Sequence, residues 1–376
     1  MPQQENFWNP YRWVPASNDS VRREQPLYRH RFQGLSGRLE CTLTALTPFL
    51  INDGSGKFIR SRKHQQPFIP ATSLKGCIRS LAELIGNAAN PFPKGQVDAA
   101  HQLNQAAVGD GSNRQLDMAA RTFGYLLQES ESKVKDKVFA GLIHFSDGRL
   151  QGKEPSPLSC VVAVGQPKPT HRAFYPGNTY RKLYHHHVGA TRLVPPHPGI
   201  TQTSTVHPLP PGVTFTFRVD FENLREEELA LLLYCLALEE KVTVEFSAAA
   251  MGGSKPVTLT GPMRHKLGHC KPHGGGSVHI QIDSMLLHRD PRARYRGKEE
   301  TTTPPQEDVL QKEIRERTQK EIRERTQAIR QRNDATMRHL RAMMIYAEDD
   351  PRAKNINYPT FAWFNTHSAR PLRPTL

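Results

Sequence analysis

Apolar and polar positions alternate most clearly at residues 37–46, GRLECTLTAL, and at residues 213–221, VTFTFRVDF. In the first of these, Leu39, Cys41, Leu43 and Ala45 fall on one side. A period of two belongs to a strand with one buried face. Two further strands are predicted at residues 141–147, within GLIHFSDGRL, and at residues 277–283, beginning SVHIQI. The period changes to that of a helix in two places. At residues 70–86, PATSLKGCIRSLAELIG, a turn at Pro70 leads into a helix over 72–86, with Thr72 or Ser73 as its cap and Gly86 as its end. At residues 222–238, ENLREEELALLLYCLAL, Leu229, Leu232, Leu233 and Leu236 mark an apolar face, and Asn223 with Glu226 reads as a capping box. The resulting order is strand, helix, strand, strand, helix, strand. It is the βαββαβ arrangement of an α+β, ferredoxin-like or RNA-recognition-type fold.

Long stretches separate these parts. Residues 1–36 are polar and turn-rich and read as an extended arm, despite carrying Phe7, Trp8 and Trp13. The core domain is expected over 37–287, with an Asn-, Ala- and Gln-rich insertion at 87–118 and a proline-rich excursion at 155–211. Recurrent prolines exclude a helix or a central strand through most of that excursion. From residue 288 to residue 376 a charged, helical extension follows. In it QKEIRERT occurs twice without a gap, at 311–318 and 319–326. An eight-residue period rotates each copy around a helix, so the repeat predicts an exposed, mixed-charge helix and not a coiled-coil seam. The helical run continues through Met337, Leu340, Met343 and Met344, and the aromatic, basic tail after it is a surface for a neighbour.

Charge narrows the function. A net charge of +15 over 376 residues favours a polyanionic partner, nucleic acid before an anionic membrane surface. No apolar run approaches the ~18 residues a membrane helix needs, and the polar N-terminus lacks the form of a signal peptide, so a cytoplasmic protein with no membrane partner is expected. The five cysteines form no CxxC pair and read as buried thiols.

Three segments concentrate the basic character. In the first, Ser73, Lys75 and Arg79 lie at the start of the 72–86 helix, where unpaired N–H groups add to the positive potential. The second lies within the excursion, where Arg181, Lys182 and the triplet His185, His186 and His187 are interleaved with tyrosines, a mix suited to phosphates and stacked bases. Successive strand residues point to opposite faces, which argues against a metal site built from all three histidines. The third is a loop in which Arg264, Lys266 and Lys271 precede Gly274, Gly275 and Gly276. Glycines allow close backbone approach and can aim N–H groups at phosphate oxygens. His265, His269, Cys270 and His273 in the same loop lack zinc-finger spacing, although a metal cluster is the alternative reading. Between the first strand and the first helix lies NDGSGKFIRSRKHQQ, a basic loop whose one acidic residue is Asp53. A carboxylate there can hold a divalent metal or help to activate a 2′-hydroxyl, or it can simply form an Asn-Asp-Gly turn.

These segments resemble one family. IPATSLKGCIR resembles the "IPGSSLKGxxR" segment of the RAMP superfamily, the repeat-associated proteins that form the RNA-binding backbone of CRISPR effector complexes. NFWNPYRWVP resembles the "NPYNFVP" opening of a type III-D RAMP family, RKLYHHH its "RGRKFYWHH", and HKLGHCKPHGGGSVHI its "HKLGxGKPLGLGSVxI". RTFGYL before GLIHFSDGRL, and the FENL of the second helix start, match the same family.

The resemblance implies a backbone subunit of a type III CRISPR interference complex. Such a subunit would bind guide RNA (crRNA) and pair with other effector subunits, including RAMP paralogues. Its thumb-like excursion would insert between guide–target base pairs. By the same resemblance Ser73, Lys75 and Arg79 would grip the guide, and Lys266 and Lys271 would hold the same strand. Asp53 would stand where cutting subunits carry a catalytic aspartate that cleaves target RNA with Mg²⁺. The alternatives are a subunit of the same complex that binds without cutting, and a CRISPR-transcript-processing endoribonuclease with a histidine base. The sequence recognised would be set by pairing to the guide.

Overall fold

A computed structural model describes residues 8–17, 19–88, 107–108, 113–126, 138–163, 180–197, 200–247, 256–288 and 308–367. Most of the insertion expected at 87–118, the middle of the excursion, residues 289–307 and the last nine residues of the tail lie outside the described residues. In chain order the elements that frame the site are β1 (Tyr11–Pro15), β2 (Leu35–Ala45), α1 (Ala71–Ile85), β3 (Ile143–Phe145), β4 (Gly148–Leu150) and β5 (Tyr180–Tyr184). They continue with β6 (Thr214–Leu224), α2 (Glu226–Ala237), β7 (His265–Lys266), β8 (Ser277–His288), α3 (Asp308–Arg330) and α4 (Ala335–Met344).

The fold is mixed α+β, built on a seven-stranded antiparallel sheet in the order β7, β8, β2, β6, β4 and then the two-residue strand Phe68–Ile69, with β3 also paired to β6. β2 is central because its alternation is the cleanest. Leu39, Cys41, Leu43 and Ala45 are buried, while Arg38 and Glu40 are exposed on the other side. Its register aligns apolar rows: Leu39 faces Val219, Cys41 faces Phe217, and Leu43 faces Phe215. Helices α1 and α2 pack against each other, and α3 packs on α2 and β8.

Several elements depart from expectation for identifiable reasons. The strand predicted at 141–147 is shorter, β3 covering Ile143–Phe145, and β4 follows beyond the predicted end, after Ser146 and Asp147. The Ser146 hydroxyl accepts the Arg218 N–H at 2.9 Å, and Asp147 turns towards α1. β8 runs on to His288, past a register shift between Ile282 and Ser284, through residues that do not alternate. Helix α2 begins after Arg225, whose N–H donates to Glu228 Oε2 at 3.0 Å, so the box lies two residues later than Asn223 and Glu226. Asn223 has φ +57° and acts elsewhere. Its Oδ1 accepts the N–H groups of Gln33 and Gly34, and its Nδ2 donates to the carbonyls of Tyr28 and Arg31, which fastens the arm to the sheet. Helix α1 ends at Gly86 as expected, with Asn87 next at φ +47°.

The arm is extended but not loose. β1 pairs with β5, Trp8 is buried, and Asn355 and Asn357 exchange backbone hydrogen bonds with Trp8. Nor is the duplicated helix simply an exposed one. In α3, Thr318, Ile322 and Thr326 are buried, at steps of four residues that keep one face towards α2. The excursion holds a two-stranded ribbon, Cys160–Ala163 with Thr203–Val206, outside the main sheet.

Candidate nucleic-acid interface

The three basic segments, far apart in sequence, meet at one cleft of about 490 Å³. Ser73, Gly76, Cys77 and Ser80 of α1 form one wall at helical spacing. Lys182, Tyr184 and His186 of the excursion form a second, and Arg264, Lys266 and Lys271 a third. Ile51, Leu81, Leu183, Leu267 and Met344 supply apolar lining, and among the described residues no carboxylate lines the cleft. Two pairings bring the walls together. β5 is held against β1 in register, Tyr11 facing Tyr184, and β7 is held against the start of β8, Lys266 facing Ser277.

The cations fall into two kinds. The arginines are committed to protein partners. Arg181 is buried and pairs with Glu83 at 2.9 Å, and Arg79 donates to the same carboxylate at 2.7 Å and to the Gly124 carbonyl at 2.8 Å. Arg264 makes a two-pronged pair with Glu240, at 2.8 and 3.0 Å. The cleft lysines are not so committed: among the described residues, Lys182, Lys266 and Lys271 form no ion pair. Lys266 donates to the Gly275 carbonyl at 2.9 Å, and burial, with Lys271 nearby, pulls its ammonium down to about 7. Lys182 lies 3.8 Å from the centre of the Tyr11 ring and is lowered by burial to about 8.

Other predicted residues stand elsewhere. Lys75 is two positions from Ser73, about 200° round the helix, so it lies off the cleft. Burial lowers its pKa, and Arg79 and Arg29 add to the shift. The histidine triplet follows β5 and is buried as a whole. His185 Nε2 accepts the Trp8 Nε1–H at 2.8 Å, His186 Nε2 lies 3.0 Å from the Arg264 carbonyl, and His187 Nε2 lies 3.1 Å from the Ile356 carbonyl. The triplet therefore ties the arm, the glycine loop and the C-terminal extension together, and only His186 also lines the cleft. Burial pushes all three well below the ordinary histidine range, His187 to about 3.

The glycines also differ from expectation. The N–H groups of Gly274, Gly275 and Gly276 donate to the carbonyls of Lys271, Cys270 and Pro48, so they are spent within the protein. A Cβ at Gly276, where φ is +77°, would come within 2.0 Å of the Leu267 carbonyl. The glycines are needed for the loop's tight path, and the lysines carry its charge. His265 and His273 bond to the carbonyls of Cys235 and Val194, and among the described residues no three His, Cys, Asp or Glu side chains are grouped to hold a metal.

Asp53 lies on an exposed turn next to Asn52, which lines the cleft. Its Oδ1 accepts the Ser55 N–H and hydroxyl, each at 2.8 Å, and these bonds hold its carboxyl below the usual range. A single carboxylate is too few for a protein-only cage, but fits a Mg²⁺ that takes its other oxygens from water and RNA phosphate. Sequence reasoning overlooked Glu83, although its place four residues after Arg79 was a signal, and the small-residue wall of α1 at 73, 76, 77 and 80.

A family model of the RAMP superfamily matches residues 42–253, from within β2 through the excursion to beyond α2. The chain belongs to the RAMP superfamily. No curated protein matches the chain. As a RAMP protein it is a CRISPR-associated RNA-binding subunit, and the RAMP match takes in two walls of the cleft and stops before the glycine loop. Among the described residues no helix is long and apolar enough to cross a membrane.

Proposed function

We propose that this RAMP protein is a backbone subunit of a type III CRISPR interference complex that holds guide RNA at the cleft between α1, β5 and the glycine loop. The observation that carries this reading is the convergence of Lys182, Lys266 and Lys271 in a cleft that no carboxylate lines among the described residues, while the neighbouring arginines are ion-paired. Phosphates would replace the missing counter-ions, and binding would weaken as salt rises. The ribbon of Cys160–Ala163 and Thr203–Val206 exposes Val161 and is the stem from which a thumb would reach between guide–target base pairs. Paralogous RAMP subunits and target RNA would complete the assembly in the cytoplasm.

A second reading adds cleavage of the guide-paired target at Asp53, because this exposed carboxylate, held below the usual range, follows directly on Asn52 of the cleft lining. Bound there, Mg²⁺ would supply a Lewis acid for RNA cleavage. Asp53 and the Ser55 groups that orient it are the chain's own contribution. The test is to incubate the assembled, guide-loaded complex with labelled complementary RNA and Mg²⁺, for wild type and Asp53→Ala. Loss of cuts with guide binding kept makes this a target-cutting subunit; unchanged cuts leave Asp53 a turn residue. Guide binding that survives loss of all three lysines would sink the first reading. Cleavage of free repeat RNA by the isolated protein would favour a processing enzyme instead.

A further inference from the structure

A lysine attacks a carbonyl carbon only through its uncharged amine, and a neighbouring carboxylate keeps an amine charged. Lys266 is placed otherwise. It is half-buried in the cleft, its Nζ donates to the neutral Gly275 carbonyl at 2.9 Å, and among the described residues no carboxylate lines the space around it. One N–H satisfies that carbonyl, so the uncharged amine keeps its lone pair. Lys271 lines the same cleft, and a second cation nearby disfavours charge on the first. Lys182 lines the cleft too but differs: its ammonium stands 3.8 Å from the centre of the Tyr11 ring, whose face favours the charged form. RNA binding calls for a charged Lys266, and does not account for surroundings that make this charge easy to lose.

We propose that Lys266 is a modification site, its amine taking a small acyl group from an acyl phosphate whose phosphate is seated on Lys271. The lone pair of Nζ adds to the carbonyl carbon, the C–N bond forms as the bond from that carbon to the phosphate oxygen breaks, inorganic phosphate leaves, and the surplus amine proton passes to solvent. The product is a neutral amide, and no further reactant is consumed. The cleft, at about 490 Å³, has room for such a donor, and a Cβ placed on Gly76 would meet nothing within 4 Å, so the α1 side is open to it. Resting on the RNA-binding reading above, the modification is a switch: the amide removes one of the charges that would hold RNA phosphate.

The full chain, free of RNA, is incubated near neutral pH with acetyl phosphate until on average a single lysine per chain is acetylated, and the positions are mapped by mass spectrometry. Lys266 is expected to react at least fivefold faster than Lys57 and Lys63, which are exposed. Lys271→Met should slow Lys266 at least fivefold, and p-nitrophenyl acetate, an acyl donor without a phosphate, should lose most of the preference. Labelling of Lys266 no faster than of the exposed lysines overturns the proposal, and so does an equal preference with the ester. The share of chains that bind single-stranded RNA is then compared before and after treatment. It should fall by at least half in the wild type and by less than a fifth in Lys266→Arg, whatever the affinity of that variant. Equal falls in the two proteins overturn the switch. If RNA binds and Lys266 shows no preference, the proposal fails while the RNA-binding reading stands. If Lys266 is the preferred position in a chain that binds no RNA, the modification site stands and the RNA-binding reading fails.

Discussion

The carboxylate of Asp147 accepts the backbone N–H of Ala71 at 2.8 Å, so the start of helix α1 is capped from a turn between two sheet strands. A helix N-terminus attracts anions, and here the protein's own acid occupies that place. Ligand binding by this helix therefore falls to its side, where Ser73, Cys77 and Ser80 face the cleft. Asp147→Ala should destabilise the fold by about 1 kcal/mol, as loss of a cap does, and leave RNA affinity unchanged. Urea unfolding and anisotropy on the same variant check both parts. A severalfold gain in affinity would mean that the helix end is a phosphate site held shut.

Glu83 is buried between two guanidinium groups, Arg79 at 2.7 Å and Arg181 at 2.9 Å. It joins the helix wall of the cleft to the excursion wall. Removing one partner of a buried pair leaves a charge without compensation, which costs about 3–5 kcal/mol. Glu83→Ala should therefore be the most destabilising single change near the cleft, and Arg181→Ala should also lose stability. Chemical denaturation measures this, and a loss below about 1 kcal/mol, the scale of an exposed pair, would show that the pair is hydrated.

How much of this was legible in the sequence differs by residue. The mixed α+β class came through because Leu39, Cys41, Leu43 and Ala45 alternate strictly and the leucines of α2 repeat at helical spacing. The three basic segments were legible as charge. Which cations would be free was not, because ion pairing is decided by contacts across long separations, such as Arg181 with Glu83, 98 residues apart. The partners of His185, His186 and His187 were hidden for a related reason. A polar residue reads as a surface residue until its partners are known, and Trp8 and Ile356 lie more than a hundred residues away. The glycines at 274–276 were read as aiming N–H groups at phosphate, and the sequence does not reveal that those groups are used internally.

Acid should unfold the protein earlier than its carboxylates alone would dictate. His187 and His265 are lowered by burial to about 3 and about 4, and His185 and His186 are well below the ordinary value near 6.5. The unfolded chain thus takes up protons that the folded chain refuses as pH falls below about 6.5, and stability is lost in that direction. The urea midpoint should drop between pH 7.5 and pH 5. His265→Gln, which keeps a donor towards the Cys235 carbonyl, should flatten part of that drop. An unchanged slope would mean that this ring is protonated in the native state.

Lysine titration predicts a pH effect on binding in a higher window. Lys266 at about 7 and Lys182 at about 8 lie below the ordinary value near 10.4, so between these limits the unfolded chain holds more protons and stability rises with pH. A phosphate favours the charged ammonium, so RNA binding takes up protons in this window and weakens as pH rises. Affinity measured at pH 6.5 and pH 9 should fall severalfold in the wild type. The double variant Lys182→Arg, Lys266→Arg stays charged throughout and should lose most of the dependence; a slope that persists in it belongs to other groups.

The duplicated repeat allows a matched test, because the same residue occupies the same place in both copies but not the same environment. Ile314 and Ile322 each sit at the fourth position of QKEIRERT. A step of eight residues turns the helix by about 80° beyond two full turns, so the copies cannot present one identical face. Ile322 is 1% exposed, whereas Ile314 is half-buried. Ile322→Ala should cost about 2–5 kcal/mol, the range for truncating a buried isoleucine, and Ile314→Ala clearly less. Denaturation of the two variants side by side decides it. Equal losses would mean that both copies pack alike, and that α3 does not sit on α2 and β8 in the register seen here.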